Sequence, residues 1–268
     1  MSVEGSVVVV TGAAAGIGRH IAKRFAANGA NVVLADIAPM DVVAGELRGI
    51  GAEVLSVPTD VTNEASVRNL FSTAFARHGR IDTLINNAGI VTHFHVGSPR
   101  WSRIRDMDQG FYSKVMDTNL MGTFLCCKHA IPYMESLNAG HIINFGQGSF
   151  RPSSRKPNIG TCVYSTSKLA IRGFTMGLAD EEREYNVCVM SMGPGLPRPT
   201  PVVQGAGVPG GGGGIVTEDS PAWALDPSRG TQSVADIGDN YVIAAEAGME
   251  FSGRQVSVRD GAVVVLED

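Results

Sequence analysis

The sequence is poor in several things, and each shortage closes off a class of protein. Cysteine is scarce, with four in 268 residues, at Cys126, Cys127, Cys162 and Cys188. Their spacing fits neither a zinc-ligand pattern nor a disulfide framework. In a chain this long they read as reduced, partly buried thiols of a cytosolic protein. Long basic runs are absent. Arg100, Arg103 and Arg105 form the one local cluster, and Asp106 and Asp108 follow it. With a net charge of -4, nucleic acid is a poor candidate for the main partner. No apolar stretch approaches the roughly 20 residues that span a bilayer. The opening "MSVEGSVVVVTG" has no basic segment before its apolar run, so that run reads as a strand and not as a secretory leader. Charged residues are few, 18% against 44% hydrophobic, which supports a sizeable core and excludes global disorder.

What is present is an alternation of short apolar runs with amphipathic stretches. "SVVVVTG" is β-branched throughout, the mark of a strand buried on both faces. "GRHIAKRFAANGA" then changes to helical spacing, with Ile21, Ala22 and Phe25 on one side and Gly29 as its stop. "NVVLADI" and "EVLSVPTDV" are the next strands, with "MDVVAGELRGIG" as the helix between them. "EASVRNLFSTAFARHG" is a helix whose stripe is Val67, Leu70, Phe71, Ala74 and Phe75. "IDTLINNAG" is a fourth strand. A long helix over "FYSKVMDTNLMGTFLCCKHAIPYMES" precedes "HIINFG", the fifth strand. "YSTSKLAIRGFTMGLADEERE" is another helix, "NVCVMSMGPG" a sixth strand, "QSVADIGDNYVIAAEAGM" a helix and "SGRQVSVRDG" a terminal strand. This β-α repetition predicts an α/β protein with a parallel sheet between two helical layers. The length suits one domain over residues 1–268, soluble and cytoplasmic. Segments 91–106 and 196–232 stand outside the repeat, and together with 148–160 they are the candidate site loops.

The first turn, "TGAAAGIG" over 11–18, joins a buried strand to a helix. Gly12 permits the tight turn. Gly16, Ile17 and Gly18 open the helix, whose N-terminus can face a pyrophosphate. Asp36 ends the second strand 18 residues beyond Gly18, with Ile37 beside it. A carboxylate there can accept both hydroxyls of an adenosine ribose and would repel a 2′-phosphate, which favours NAD over NADP. Asp60 and Val61 follow the third strand and are placed for an adenine edge. Asn86, Asn87, Ala88 and Gly89 form a polar turn that lets the backbone approach a cofactor. Further on, Tyr164 and Lys168 lie four apart on one helix face. An ammonium beside a phenol favours the phenolate, so the pair suits proton transfer. His93 and His95, alone in a loop, do not suffice for a metal site, and none is expected.

Taken together, "TGAAAGIG", Asp36, Asp60, "NNAG" at 86–89, Asn119, "YSTSK" at 164–168, "PG" at 194–195 and the terminal "FSGRQVSVRDG" resemble the short-chain dehydrogenase/reductase family over nearly the whole chain. The resemblance implies a Rossmann-like three-layer α/β/α sandwich with a mostly seven-stranded parallel sheet. It implies metal-free hydride transfer between a nicotinamide cofactor and an alcohol or ketone, in a homodimer or homotetramer paired through the helices from Phe111 and from Tyr164. By the same resemblance Tyr164 is the acid/base, Lys168 holds the ribose and lowers the tyrosine pKa, Asn119 holds a water, and Pro194 and Gly195 flank the nicotinamide.

One motif departs from the family. Its fifth strand ends in an asparagine, a hydrophobic residue and two serines, the second of which bonds the substrate oxygen. Here Asn144 and Phe145 are followed by Gly146 and Gln147. Ser149 precedes Tyr164 by 15 residues and Gln147 by 17, further than the usual serine. Either could polarise the oxygen, Ser149 by its hydroxyl and Gln147 by its amide. An NADPH-preferring reductase and a catalytically weak dinucleotide-binding regulator stay open as alternatives.

Overall fold

The computed structural model describes residues 2–90, 103–146, 162–193 and 234–266. The sheet has eight strands: β1 (Val7–Thr11), β2 (Asn31–Asp36), β3 (Val54–Pro58), β4 (Thr83–Asn86), β5 (Gly140–Phe145), β6 (Val187–Met192), β7 (Gln255–Arg259) and β8 (Ala262–Val265). Their order is β3-β2-β1-β4-β5-β6-β7-β8. All neighbours pair parallel except β7 with β8, which are antiparallel. This is the Rossmann-like α/β architecture, with one strand more than the seven expected. β8 follows a turn at Asp260 and Gly261, whose φ values of 50° and 77° fit a tight hairpin.

The helices are α1 (Gly16–Ala27), α2 (Asp41–Gly49), α3 (Glu64–His78), α4 (Gln109–Met116), α5 (Gly122–Leu137), α6 (Cys162–Glu181) and α7 (Val234–Ala245). The long helix expected from Phe111 is interrupted. A π-helical turn over Asp117–Met121 separates α4 from α5.

Alternation along each strand feeds two cores, because successive side chains point to opposite faces. Val8, Val10, Val32, Leu34, Ile85 and Ile143 pack with Ile21 and Phe25 of α1, Leu47 of α2 and Tyr241 of α7. Val7, Val9, Val33, Leu84, Ile142 and Val189 pack with Leu70 and Phe71 of α3, Met134 of α5 and Leu178 of α6. A strand buried on both faces has no polar side to show, which is why β1 reads as an unbroken valine run. α1 and α7 meet closely at Gly238, where a Cβ would lie 2.9 Å from His20 O. The amino end of the sheet is tied by Asp82, whose Oδ2 accepts the first N–H of β1, at Val7, at 2.8 Å. The expected stop at Gly29 takes φ 81°, and Gly79, φ 71°, caps α3 in the same left-handed region. Three of the four cysteines are buried and Cys162 is exposed. Burial pushes the Cys126 and Cys188 thiols up to about 12.

The helices that follow β1 and β4 go to opposite faces, and the strand order reverses between them. A crevice therefore opens at the carboxyl ends of β1 and β4, the usual ligand position in such sheets.

At the opposite end one group works against stability. Glu182, just after α6, is buried, and its Oε2 has no hydrogen-bond partner. Burial, then the charges of Glu135, Glu181 and Glu184, raise its carboxyl from 4.5 to about 7. An acid with a raised folded pKa leaves stability intact below its unfolded pKa and lowers it as pH climbs through the folded value. Glu182→Gln should therefore raise the melting temperature at pH 8 by roughly 2–4 °C, the shift about 1 kcal/mol produces in a domain of this size. At pH 4.5 the gain should vanish. Equal gains at both pH values in thermal unfolding would show that the charge is not the cause.

Candidate active site

The crevice is built by lacing two turns together. Thr11 ends β1, and its Oγ1 accepts the N–H groups of Asn87 and Ala88, both at 3.0 Å. Asn87 Nδ2 returns two bonds, to Thr11 O at 2.9 Å and Gly12 O at 3.1 Å. Gly12 sits at φ 66°, in the left-handed region. A Cβ on Gly18 would lie 2.1 Å from Gly12 O and 2.5 Å from Asn87 Nδ2, so no side chain fits there. Ala15 caps α1 without a side-chain hydrogen bond, which leaves the first N–H groups of the helix for an outside acceptor. A backbone loop drawn this tight against a helix start is the cradle a dinucleotide phosphate requires.

Asp36 stands at the rim. Its Oδ2 accepts Ala14 N–H and its Oδ1 accepts Ala38 N–H, both at 2.9 Å. Each oxygen keeps a lone pair for a further donor. Ile37 beside it is 79% exposed, an apolar surface with nothing over it. Asp60 turns back on its own loop, where Oδ1 accepts Thr62 N–H at 2.9 Å and Thr62 Oγ1 at 2.7 Å. Val61 is buried against Gly122, whose Cβ would come within 2.8 Å of it. Arg19, one residue after Gly18, is held by Glu46 of α2, with Nε to Oε2 at 3.1 Å.

The reacting end lies on α6. Lys168 is buried and donates from Nζ to Phe145 O at 2.8 Å. The same nitrogen is 4.8 Å from the Phe145 ring centroid and 5.7 Å from that of Tyr164. Asn119 belongs to the π turn and is fully buried. Its Oδ1 accepts Ile90 N–H at 2.7 Å, and its Nδ2 donates to Ile90 O at 3.1 Å and to Ser167 Oγ at 3.0 Å. Ser167 Oγ donates in turn to Tyr164 O at 2.7 Å. The amide of Asn119 is thus committed to protein partners, and a water held by this residue must use its carbonyl, which already accepts from Thr123 Oγ1 at 2.7 Å. Gly89 is pressed to the same asparagine, with a Cβ at 3.1 Å from Oδ1.

The electrostatics differ from the expectation that the lysine lowers the tyrosine pKa. Burial pushes the Tyr164 phenol well above its ordinary range, and burial lowers Lys168 from 10.5 to about 7. Burial is the cause in both groups, and the lysine's hydrogen bond goes to Phe145 O. Taken out of water, a phenol and an ammonium each favour the neutral form.

Ser149, Gln147, Pro194 and Gly195 lie outside the described residues, as do 148–160, 196–232 and all but the last four residues of 91–106. The turn before them is described. A Cβ on Gly146 would lie 3.2 Å from Ser191 Cβ, so a serine at 146 would press on β6. Thr11 and Ser167 each lie inside a motif the sequence marks, yet only the fold gives them partners. Among the described residues no group of three or more His, Cys, Asp or Glu could hold a metal, and no helix is long and apolar enough to cross a membrane.

A family model described as short chain dehydrogenase matches residues 6–207. The chain belongs to the short-chain dehydrogenase family. Among its relatives, cis-4-hydroxycyclohexanecarboxylate dehydrogenase of Sinomonas cyclohexanicum is 36% identical over 200 residues, 74% of this chain and 76% of that protein. Secoisolariciresinol dehydrogenase of Forsythia intermedia is 33% identical over 196 residues, 72% of this chain and 67% of that one. An NAD+-bound xylitol dehydrogenase structure superposes with a TM-score of 0.66 at 29% identity, covering 75% of this chain and 74% of its own. A 7α-hydroxysteroid dehydrogenase complexed with NADH and 7-oxo glycochenodeoxycholic acid gives 0.63 at 29%, covering 72% and 71%. Membership makes the protein an oxidoreductase that uses a nicotinamide dinucleotide on a small molecule.

The lysine's burial has a thermodynamic signature. Between about pH 7 and 10.5 the unfolded chain binds a proton at Lys168 that the folded protein has released, so stability rises with pH across this window. Below it the cost of burying the ammonium is carried in full. Urea unfolding of the cofactor-free protein should therefore show stability climbing from pH 7 to 9 by up to about 1.4 kcal/mol per pH unit from this group. Lys168→Met should remove that slope. Parallel profiles for the two proteins would assign the titration elsewhere.

Proposed function

We propose that the protein is an NAD-dependent oxidoreductase that moves hydride between a secondary alcohol, or its ketone, and nicotinamide, with Tyr164 as the acid/base. The observation that carries this reading is the position of the tyrosine–lysine pair. It lies on α6 beside the carboxyl end of β5, next to the crevice that Thr11, Gly12, Gly18 and Asn87 form.

The glycine turn and the open start of α1 hold the pyrophosphate, Asp36 the adenosine ribose, and Ile37, Asp60 and Val61 the adenine. Ala88, Gly89, Pro194 and Gly195 border the nicotinamide. When bound, the cofactor supplies the hydride acceptor or donor and, oxidised, a positive charge. The chain's own residues move the proton. Tyr164 takes it from the alcohol hydroxyl or returns it to the carbonyl oxygen. Lys168 leaves Phe145 O, binds the ribose hydroxyls and stabilises the phenolate. Asn119 offers its backbone carbonyl to a water, and Ser149 or Gln147 polarises the substrate oxygen. Each proton-transfer role contributes roughly 10²–10⁴-fold in rate.

Asp36 supports NAD, since a 2′-phosphate would meet a carboxylate. Arg19 cannot answer that phosphate without leaving Glu46. Exposed Tyr112, Met121 and Phe124 on one helical segment and Leu169 and Met176 on α6 support pairing into a homodimer or homotetramer. A cytoplasmic location follows from the same reading of the cysteines.

Two measurements test the assignment. On a panel of secondary alcohols, kcat/KM with NAD should exceed that with NADP at least about tenfold, or roughly 1.4 kcal/mol, and Asp36→Ser should narrow the gap. Equal use of both cofactors by the unaltered protein would reject NAD preference. Tyr164→Phe keeps the ring and removes the proton carrier, so kcat should fall about 10²-fold or more while NAD titration stays near normal. A variant retaining a tenth of the activity would reject the acid/base role.

A further inference from the structure

We propose that Thr175 is a positioning residue for this reaction, holding α6 at one height on the sheet through Asn144 and Asn86. The inference rests on the reading of Tyr164 as the acid/base. Strand register pairs Asn86 with Asn144 and Asn144 with Ser191. Three polar side chains therefore lie in one row across β4, β5 and β6, all of them buried. Asn86 Nδ2 donates to Asn144 Oδ1 at 2.9 Å and to Cys127 Sγ at 3.3 Å. Asn144 Nδ2 donates to Thr175 Oγ1 at 2.9 Å, and Thr175 Oγ1 donates to Ile171 O at 2.8 Å. The chain of donors runs from the strand that ends in the cofactor turn, across β5, onto α6.

The next residue of β5 makes the second attachment, through Phe145 O and Lys168 Nζ. Lys168 and Thr175 are about two helical turns apart and share a face. α6 is pinned at two heights to consecutive residues of one strand. The two pins are not equivalent in the reaction. Lys168 must leave Phe145 O to reach a ribose, and the Thr175–Asn144 bond then still ties α6 to β5, while Ser167 stays bonded to Asn119 of the π turn. Tyr164 lies about 16 Å along the helix from it, so a small tilt at Thr175 is carried to the phenol. A misplacement of about 1 Å at reacting atoms can cost about 10²-fold in rate. A buried polar row is no requirement for stability, because apolar groups of the same shape can replace such pairs at little cost. Directional hydrogen bonds specify a height that apolar packing leaves looser.

Two substitutions separate position from stability. Thr175→Val keeps the shape and removes the hydroxyl. Thr175→Ser keeps the hydroxyl and removes a methyl. With the best alcohol of the panel, the valine variant should lose about tenfold or more in kcat while KM for NAD stays within about twofold, and the pH limb assigned to Tyr164 should shift. The serine variant should keep kcat within about threefold and retain the wild-type pH profile, although its lost methyl lowers the melting temperature. If kcat follows melting temperature in both variants, or the valine variant has wild-type kcat and pH profile, the proposal is rejected. Should valine not fold, Thr175→Cys takes its place: its weaker donor should give a kcat below that of serine, and wild-type kcat from it rejects the proposal. Tyr164→Phe, measured alongside, distinguishes the two levels. An active phenylalanine variant takes down the acid/base reading and this inference with it. An inactive one beside a fully active Thr175→Val takes down this inference alone.

Discussion

The reversal of strand order between β1 and β4 is the constraint on which the rest depends. Two parallel neighbours whose following helices leave for opposite faces cannot close the space above their carboxyl ends. The gap is held at a fixed width by reciprocal bonds, Thr11 Oγ1 accepting from the Asn87–Ala88 turn and Asn87 Nδ2 donating back to Thr11 and Gly12. This lacing sets where α1 begins. It also sets the absence of a side chain at Gly18, since the space a Cβ needs is filled by Gly12 O. The glycines are a steric consequence of how closely two turns must approach, and on the proposed reading a dinucleotide phosphate would meet backbone donors there without intervening side chains.

The reacting end follows a different logic. The crevice is organised by satisfied hydrogen bonds, whereas α6 carries two groups that burial pushes away from their reactive forms. Tyr164 is driven toward the neutral phenol and Lys168 toward the neutral amine. On the proposed reading, the positive charge of an oxidised nicotinamide would oppose this effect of burial at Tyr164.

Much of this was legible from residue order. β-branched runs marked strands, 3.6-residue spacing marked helices, and the motif at each strand end located the crevice. The fourfold spacing of Tyr164 and Lys168 put them on one face. What was not legible has physical causes. A π turn has nearly the same apolar periodicity as an α-helix, so the break at 117–121 becomes visible only when Asn119 is seen bonding Ile90 and Ser167. β8 was hidden for another reason: the terminal reading ended at "RDG", although Asp260-Gly261 before an apolar run is a hairpin signal in its own right. Proximity of a phenol and an ammonium is readable from spacing, but the effect of burial on each is not, because it turns on how the fold packs around them.

The missing serine fits into the polar row below α6. At the end of β5 the side-chain positions of Asn144 and residue 146 face the same layer, with Ser191 of β6 beside both. A Cβ at 146 would stand 3.2 Å from Ser191 Cβ and 3.4 Å from Ser191 Oγ, closer than packed side chains prefer. Glycine at 146 and serine at 191 are therefore complementary: the hydroxyl sits on the neighbouring strand, and the backbone at 146 is left without a side chain to anchor it. The backbone N–H of Gly146 donates to Met192 O at 3.0 Å, so the main chain itself still holds the end of β5 to β6. The tie between α6 and β5 through Thr175 and Asn144 lies one pleat below and does not involve residue 146.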